Sequence, residues 1–127
     1  MQSSRLAVGM DLVSISAIAE SVTRFGDRFL HRIFTQGEID YALAAPALSS
    51  SRLAARFAAK EAVRKALRLD GVAWRDIEVV RHADGACSIA LHGRTRGLVP
   101  VDSGVQIAVS LSHDGDQAAA VVIAQWN

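Results

Sequence analysis

The sequence predicts an α+β chain, and three observations carry that expectation. Residues Arg56 to Arg68 are rich in alanine, leucine and long polar side chains at helical spacing, which makes this stretch the central helix. Leu6 to Val13 alternates with the period of a strand. Two later pairs of strand-like runs, Ile77–Arg81 with Cys87–His92 and Val105–His113 with Gln117–Gln125, flank Ala83-Asp84-Gly85 and Asp114-Gly115-Asp116. Short Asp- and Gly-containing links between such runs predict two antiparallel hairpins.

Composition narrows the function classes. A chain of 127 residues, 50% of them hydrophobic, is expected to form one domain over residues 1–127 with a substantial core. The net charge of +1 gives no global basic field, so a positive patch for a ligand has to be local. The single cysteine, Cys87, excludes an intrachain disulfide and a cysteine-based zinc site, and is expected to pack. The longest apolar run, Ala118–Ala124, falls short of the roughly 20 residues that cross a bilayer. Asp11 interrupts the early apolar stretch, so no signal peptide is read, and a soluble cytoplasmic protein is expected.

In chain order, the first strand should be buried, with Val8, Met10 and Leu12 on one face and Ala7, Gly9 and Asp11 on the other. A carboxylate inside an apolar strand needs a metal, a cation or hydrogen-bond donors; a capping aspartate at a strand end is the plainer alternative. Ser14 or Ser16 should cap a short helix closed near Gly26, followed by a second turn from Asp27 to Ile33. Arg24, Arg28 and Arg32 recur every four residues there, a basic stripe that Gly26 interrupts. Thr35 and Glu38 fit a capping box that opens a helix stopped by Pro46. Ser49-Ser50-Ser51 should cap the central helix, which ends before Gly71, and the stretch from Arg94 to Gly104 reads as a connection with at most a short helix.

Around the central helix, Ala55, Ala59, Ala62, Val63, Ala66 and Leu67 take one side, small enough to lie close to a sheet or another small-faced helix. Glu61, Lys65, Arg68, Arg64 and Lys60 are expected to fan across the other side. One acid among cations suits a phosphate-rich ligand and a divalent ion, although Glu61 and Lys65 also form the common helix-stabilising pair. His113 at a strand end can donate to phosphate or serve as a surface residue, and the other histidines show no metal-ligand spacing.

Taken together, Val8-Gly9-Met10-Asp11-Leu12-Val13, Phe34-Thr35-Gln36-Gly37-Glu38, Arg56 to Ala66 and Val109-Ser110-Leu111-Ser112-His113 resemble the holo-acyl-carrier-protein synthases, the small phosphopantetheinyl transferases. The resemblance implies the 4′-phosphopantetheinyl transferase fold, an antiparallel sheet packed against the long central helix. It further implies a homotrimer with coenzyme A between subunits. The implied reaction moves 4′-phosphopantetheine from coenzyme A to a serine of an apo acyl carrier protein, releasing adenosine 3′,5′-bisphosphate. In the family pattern Asp11 and Glu61 match the acids that hold Mg²⁺, Lys65 the lysine that neutralises or protonates the departing phosphate, and His113 a histidine contacting it. Arg56 and Lys60 match positions of phosphate contact or interface support. Asp11, Glu61 and a metal-bound water all stand as the serine's base.

Some positions depart from the pattern. Ser14 and Ala17 stand where many relatives carry an acid and an arginine, the latter helping to bind the acidic carrier. Arg68-Leu69-Asp70-Gly71 replaces a Gly-rich turn, and Asp114 replaces a common threonine. These departures motivate an alternative, a catalytically idle assembly or binding subunit with the same fold; the intact Asp11, Glu61, Lys65 and His113 count against it. A single-stranded nucleic-acid module is disfavoured by near-neutral charge and 6% aromatics. Arg24 and Arg28 offer a displaced basic surface for the carrier, with Arg32 next to Ile33 suited to packing.

Overall fold

The computed structural model describes residues 5–99 and 104–126. Strand β1 (Arg5–Ser14) leads into helices α1 (Ile15–Phe25), α2 (Asp27–Ile33) and α3 (Gln36–Leu43), and a single 3-10 turn at Pro46–Leu48 precedes the long helix α4 (Ser49–Leu67). A second such turn, Trp74–Asp76, opens the hairpin of β2 (Ile77–Arg81) and β3 (Cys87–Leu91). Helix α5 (Gly93–Leu98) follows, and β4 (Gln106–Asp114) with β5 (Gln117–Trp126) closes the chain. The short helix α5 occupies the start of the stretch expected to be a connection, whose residues 100–103 lie outside the described ones. Both hairpins form as expected, and β5 pairs antiparallel with β1 and β4 to give the sheet order β1-β5-β4.

The local signals act as expected at most helix ends. Ser14 Oγ accepts from the Ala17 amide at the start of α1, and Gly26, at φ 58°, ends it. Thr35 and Glu38 complete the capping box of α3. The serines before the central helix behave differently. Helix α4 already begins at Ser49 with Leu48 as its N-cap, so Ser49, Ser50 and Ser51 form its first turn and none of them caps it. The 3-10 turn made by Pro46 has supplied the helical backbone one step earlier, and Ser49 Oγ donates back to the Pro46 carbonyl.

One face of the three-stranded sheet lies on α4. Ala118, Ala120, Val122 and Ala124 of β5 are all buried; Ala120 and Val122 pack with Ala58, Ala59, Ala62, Val63 and Ala66 of α4, and Ala118 packs with Ala54 and Ala55. The closest approach is at Gly9. A Cβ at that position would fall 2.0 Å from the Ala62 carbonyl oxygen and 2.8 Å from the Ala66 amide nitrogen, so glycine is required by the helix backbone itself. The Gly9 and Asp11 face of β1 is therefore the inner one. The expectation that β1 is buried on both faces is corrected: Val8 is 67% and Met10 55% exposed, with Leu6 and Leu12 beside them. A period of two separates the faces of a strand without saying which is covered, and α4 can approach only the side that lacks large side chains.

Replacing Gly9 by alanine tests this contact. The added methyl must push β1 and α4 apart, and overpacking of this kind typically costs about 1–3 kcal/mol. Urea unfolding should show a lowered midpoint with an unchanged slope; a wild-type midpoint would contradict the close approach.

Candidate active site

The close packing of β1 on α4 brings Asp11 to Lys65. Lys65 Nζ donates to Asp11 Oδ1 at 2.9 Å and to the Met10 carbonyl at 3.0 Å, with the lysine side chain 55% exposed. An ammonium has three hydrogens, so one remains free for a ligand oxygen. Glu61 lies one turn before Lys65 on the same helix and is held separately: its Oε1 accepts from Arg64 Nη1 at 3.0 Å and from Trp74 Nε1. Among the described residues, Asp11 Oδ2 and Glu61 Oε2 take part in no hydrogen bond. Arg68 and Asp70 line the shallow depression in front of Glu61, Arg64 and Lys65, and Arg68 ends α4 with a left-handed backbone, φ 53°.

Lys60 does not join that group. The expectation that it fans out with Glu61 and Lys65 is corrected, because its side chain is fully buried and points between α3 and β2. Its ammonium sits 2.7 Å from Glu38 Oε1 and donates to the carbonyls of Trp74 and Ile77. All three hydrogens are used, which leaves none for a phosphate. Glu38 also accepts from the amides of Thr35 and Val79, both at 2.8 Å. Burial pushes Lys60 below the usual lysine range, against the charge and hydrogen bond of Glu38. The network continues outward through Glu78, which accepts from Thr35 Oγ1 and pairs with His92. Burial raises the Glu78 carboxyl, but the bonds from Thr35 and His92 outweigh it and hold the group below the usual carboxylate range.

A second group forms elsewhere. Arg56 and His113 line a cleft of about 280 Å³ together with Tyr41, Arg52, Arg81 and Ser112. The guanidiniums of Arg52 and Arg56 stand 4.0 and 4.3 Å from the Tyr41 ring centroid, and that of Arg81 stands 5.2 Å away. Burial lowers Arg56 from the usual arginine range, but the group stays cationic. Three guanidiniums and a histidine around one small cleft suit an anionic, phosphate-sized group. Arg52, Arg81 and Tyr41 were not singled out from sequence, since they come from three separate elements; only the spacing of Arg52 and Arg56, one turn apart on α4, was visible there.

The two groups lie apart. Asp11 belongs to β1 and His113 to β4, the two edge strands of the sheet, with β5 between them. The Ser14 departure also acquires a structural account. Asp116, at the turn between β4 and β5, accepts from Ser14 Oγ, the Ser16 amide and Ser16 Oγ, and so places a carboxylate at the start of α1. The Ser16 hydroxyl first, then that of Ser14, holds Asp116 below the usual aspartate range. Arg28 and Arg32, with Phe25, Phe29, Phe57 and Trp74, line a groove of about 610 Å³, while Arg24 is exposed over the Phe25 ring.

Asp11 and Glu61 form an all-oxygen donor pair. Mg²⁺ commonly takes one or two carboxylates, keeps several waters and completes its shell with substrate phosphates, so this pair fits such an ion. Among the described residues no group of three or more His, Cys, Asp and Glu is arranged to hold a metal.

Comparison with known proteins follows the same lines. The model of the 4′-phosphopantetheinyl transferase superfamily matches residues 7–122. The holo-[acyl-carrier-protein] synthase of Gloeobacter violaceus is 47% identical over 117 residues, covering 91% of this chain and 89% of that protein. The Chronobacterium ammoniagenes ACPS–CoA complex has a TM-score of 0.85 at 31% identity, over 97% of this chain and 98% of that one. The Helicobacter pylori holo-[acyl-carrier-protein] synthase in complex with coenzyme A gives 0.79 at 32% identity, over 92% and 98%.

The two lysines should separate in a stability measurement. Lys60→Ala leaves Glu38 buried without its cation and is expected to cost about 3–5 kcal/mol. Lys65→Ala removes a half-exposed pair and should cost less than about 1 kcal/mol. Chemical denaturation at neutral pH checks both, and equal costs would contradict the interior placement of Lys60.

Proposed function

We propose, from the premise that this chain belongs to the 4′-phosphopantetheinyl transferase superfamily as a holo-[acyl-carrier-protein] synthase, that it transfers phosphopantetheine from coenzyme A to an apo acyl carrier protein in the cytoplasm. The observation that carries the reading is the ion pair of Lys65 with Asp11, one turn from Glu61, which puts two carboxylates and a half-exposed ammonium on one surface. The carrier's serine oxygen attacks the phosphorus that bears the pantetheine arm, and its hydroxyl proton passes to a base of the site, for which Asp11 and Glu61 are the candidates. A new P–O bond forms, the bond to the bridging pyrophosphate oxygen breaks, and adenosine 3′,5′-bisphosphate leaves. Asp11 and Glu61 would hold Mg²⁺, which supplies Lewis-acid neutralisation of the pyrophosphate charge. Lys65 directs its free hydrogen at the leaving phosphate and offsets the negative charge that develops there. The Arg56 and His113 cleft binds another phosphate of coenzyme A, with Arg52 and Arg81 adding charge.

One protomer carries Asp11 and His113 on opposite edge strands of its sheet, so the reading includes a homotrimer. In it, the Asp11 edge of one copy meets the His113 edge of the next. The exposed Leu6, Val8, Met10 and Leu12, continued by Val121 and Ile123, supply an apolar face for the contact. Arg24 and Arg28 are exposed on α1 and α2, where they attract an acidic carrier mainly by raising its association rate.

Activity and assembly measurements test the proposal. Incubation with apo carrier, coenzyme A and Mg²⁺ should add the phosphopantetheine mass to the carrier. Asp11→Asn and Glu61→Gln should lower turnover by orders of magnitude, and Lys65→Ala should lower kcat more than coenzyme A affinity. Full Mg²⁺-dependent activity in either acid variant sinks the assignment. Sedimentation should show trimers, and coexpressed Glu61→Gln and His113→Ala chains should regain activity, because about a quarter of randomly formed interfaces pair two intact halves. Trimers that regain none would mean that each site lies within one protomer.

A further inference from the structure

We propose that Trp74 is a positioning residue for Glu61: its indole N–H holds one carboxylate oxygen and so presents the other to the divalent cation. The inference rests on the reading of Glu61 as a cation ligand. Trp74 Nε1 donates to Glu61 Oε1 at 2.5 Å, and Arg64 Nη1 donates to that same oxygen at 3.0 Å. Both donors converge on Oε1, and Oε2 takes no hydrogen bond among the described residues. A glutamate with three free torsions samples many positions. Two charge-assisted bonds to one oxygen remove most of that freedom before the ion arrives.

The indole is packed by two side chains, and the backbone that carries it is tethered as well. The Phe57 ring packs 6.0 Å away, the Arg64 guanidinium stands 5.6 Å over the ring, and Lys60 Nζ binds the Trp74 carbonyl at 3.1 Å. Lys60 is fixed in turn by Glu38. The buried lysine, unable to meet a phosphate, thus acts on the site through the backbone that carries Trp74. An indole has a single donor, and here it is spent on an ionised side chain of the site and not on a backbone carbonyl. Neither phenylalanine nor leucine in this place could supply that bond. Groups that hydrogen-bond to a metal ligand commonly change metal affinity by 10–100-fold when removed.

Trp74→Phe keeps the ring and deletes the donor. The Mg²⁺ concentration giving half-maximal transfer should rise by about 10–100-fold, with kcat at saturating Mg²⁺ largely retained. Trp126, at the end of β5 with the Arg5 guanidinium over its ring, can be changed to phenylalanine to leave Trp74 as the one tryptophan, excited selectively over Tyr41. In that protein, Mg²⁺ added with coenzyme A should change the emission saturably, and Glu61→Gln should abolish the response. Wild-type Mg²⁺ dependence in Trp74→Phe, beside an inactive Glu61→Gln, overturns the positioning role and leaves Glu61 as a ligand. Full activity in Glu61→Gln overturns both. Should Trp74→Phe fail to fold, the emission decides: a response that survives Glu61→Gln, or no response at saturating Mg²⁺, refutes the proposal.

Discussion

The contact between β1 and α4 at Gly9 sets the geometry on which the rest depends. Nothing larger than a hydrogen fits between the strand and the helix backbone there, and alanines on both α4 and β5 extend the close packing along the sheet. Only at this separation can a short aspartate side chain on the strand reach a lysine on the helix. The acid and the cation come from segments 54 residues apart in sequence, yet their relative position is fixed by backbone contact and not by flexible loops. Small residues along α4 are thus part of the site's chemistry as well as its core.

The Glu38 and Lys60 pair fixes the other side of α4. Two charges out of water are costly, and this pair recovers the loss only because every hydrogen of the lysine and both oxygens of the glutamate are bonded. The bonds join α3, α4, the Trp74 turn and β2 at one point. Lys60 and Glu61 are neighbours in sequence with opposite fates. A step of about 100° carries one into the interior and the other to the surface. The buried lysine ties down the turn that reaches back to its neighbour.

Most local features are legible in the sequence, the serine cap expected at Ser49–Ser51 being an exception, and most nonlocal contacts are not. The capping box at Thr35, the stop at Gly26 and the Asp-Gly hairpins depend on residues within four positions of one another, and each formed where it was expected. Lys60 was placed on the wrong face because its partners, Glu38, Trp74 and Ile77, are distant in sequence; a lysine on an otherwise charged helix carries no local sign of burial. The outer face of β1 was misread for a similar reason, since four large apolar side chains look like core until the small inner residues show where the helix lies. The family pattern groups Asp11, Glu61 and Lys65, and the ion pair of Asp11 with Lys65 is the part of that grouping the structure displays. That His113 stands on the edge strand opposite Asp11 is not legible, because spacing along the chain says nothing about which strands end up at the edges.

Those two edges bear on why so small a chain carries an apolar face outward. A single α-helix covers one side of a three-stranded sheet, and among the described residues nothing covers Leu6, Val8, Met10 and Leu12 on the other. The helices α1, α2 and α3 pack with Leu53, Ala54 and Ala55 at the start of α4 and do not shield it. In the trimer proposed above, a neighbouring copy would cover that face through a head-to-tail contact between two different patches. In the proposed trimer that contact does two things at once: it covers Leu6, Val8, Met10 and Leu12, and it sets the acid and lysine group of one copy against the arginine and histidine cleft of another. Association and assembly of the site would then be one equilibrium. Activity at low protein concentration would report the stability of the trimer before any property of the individual residues.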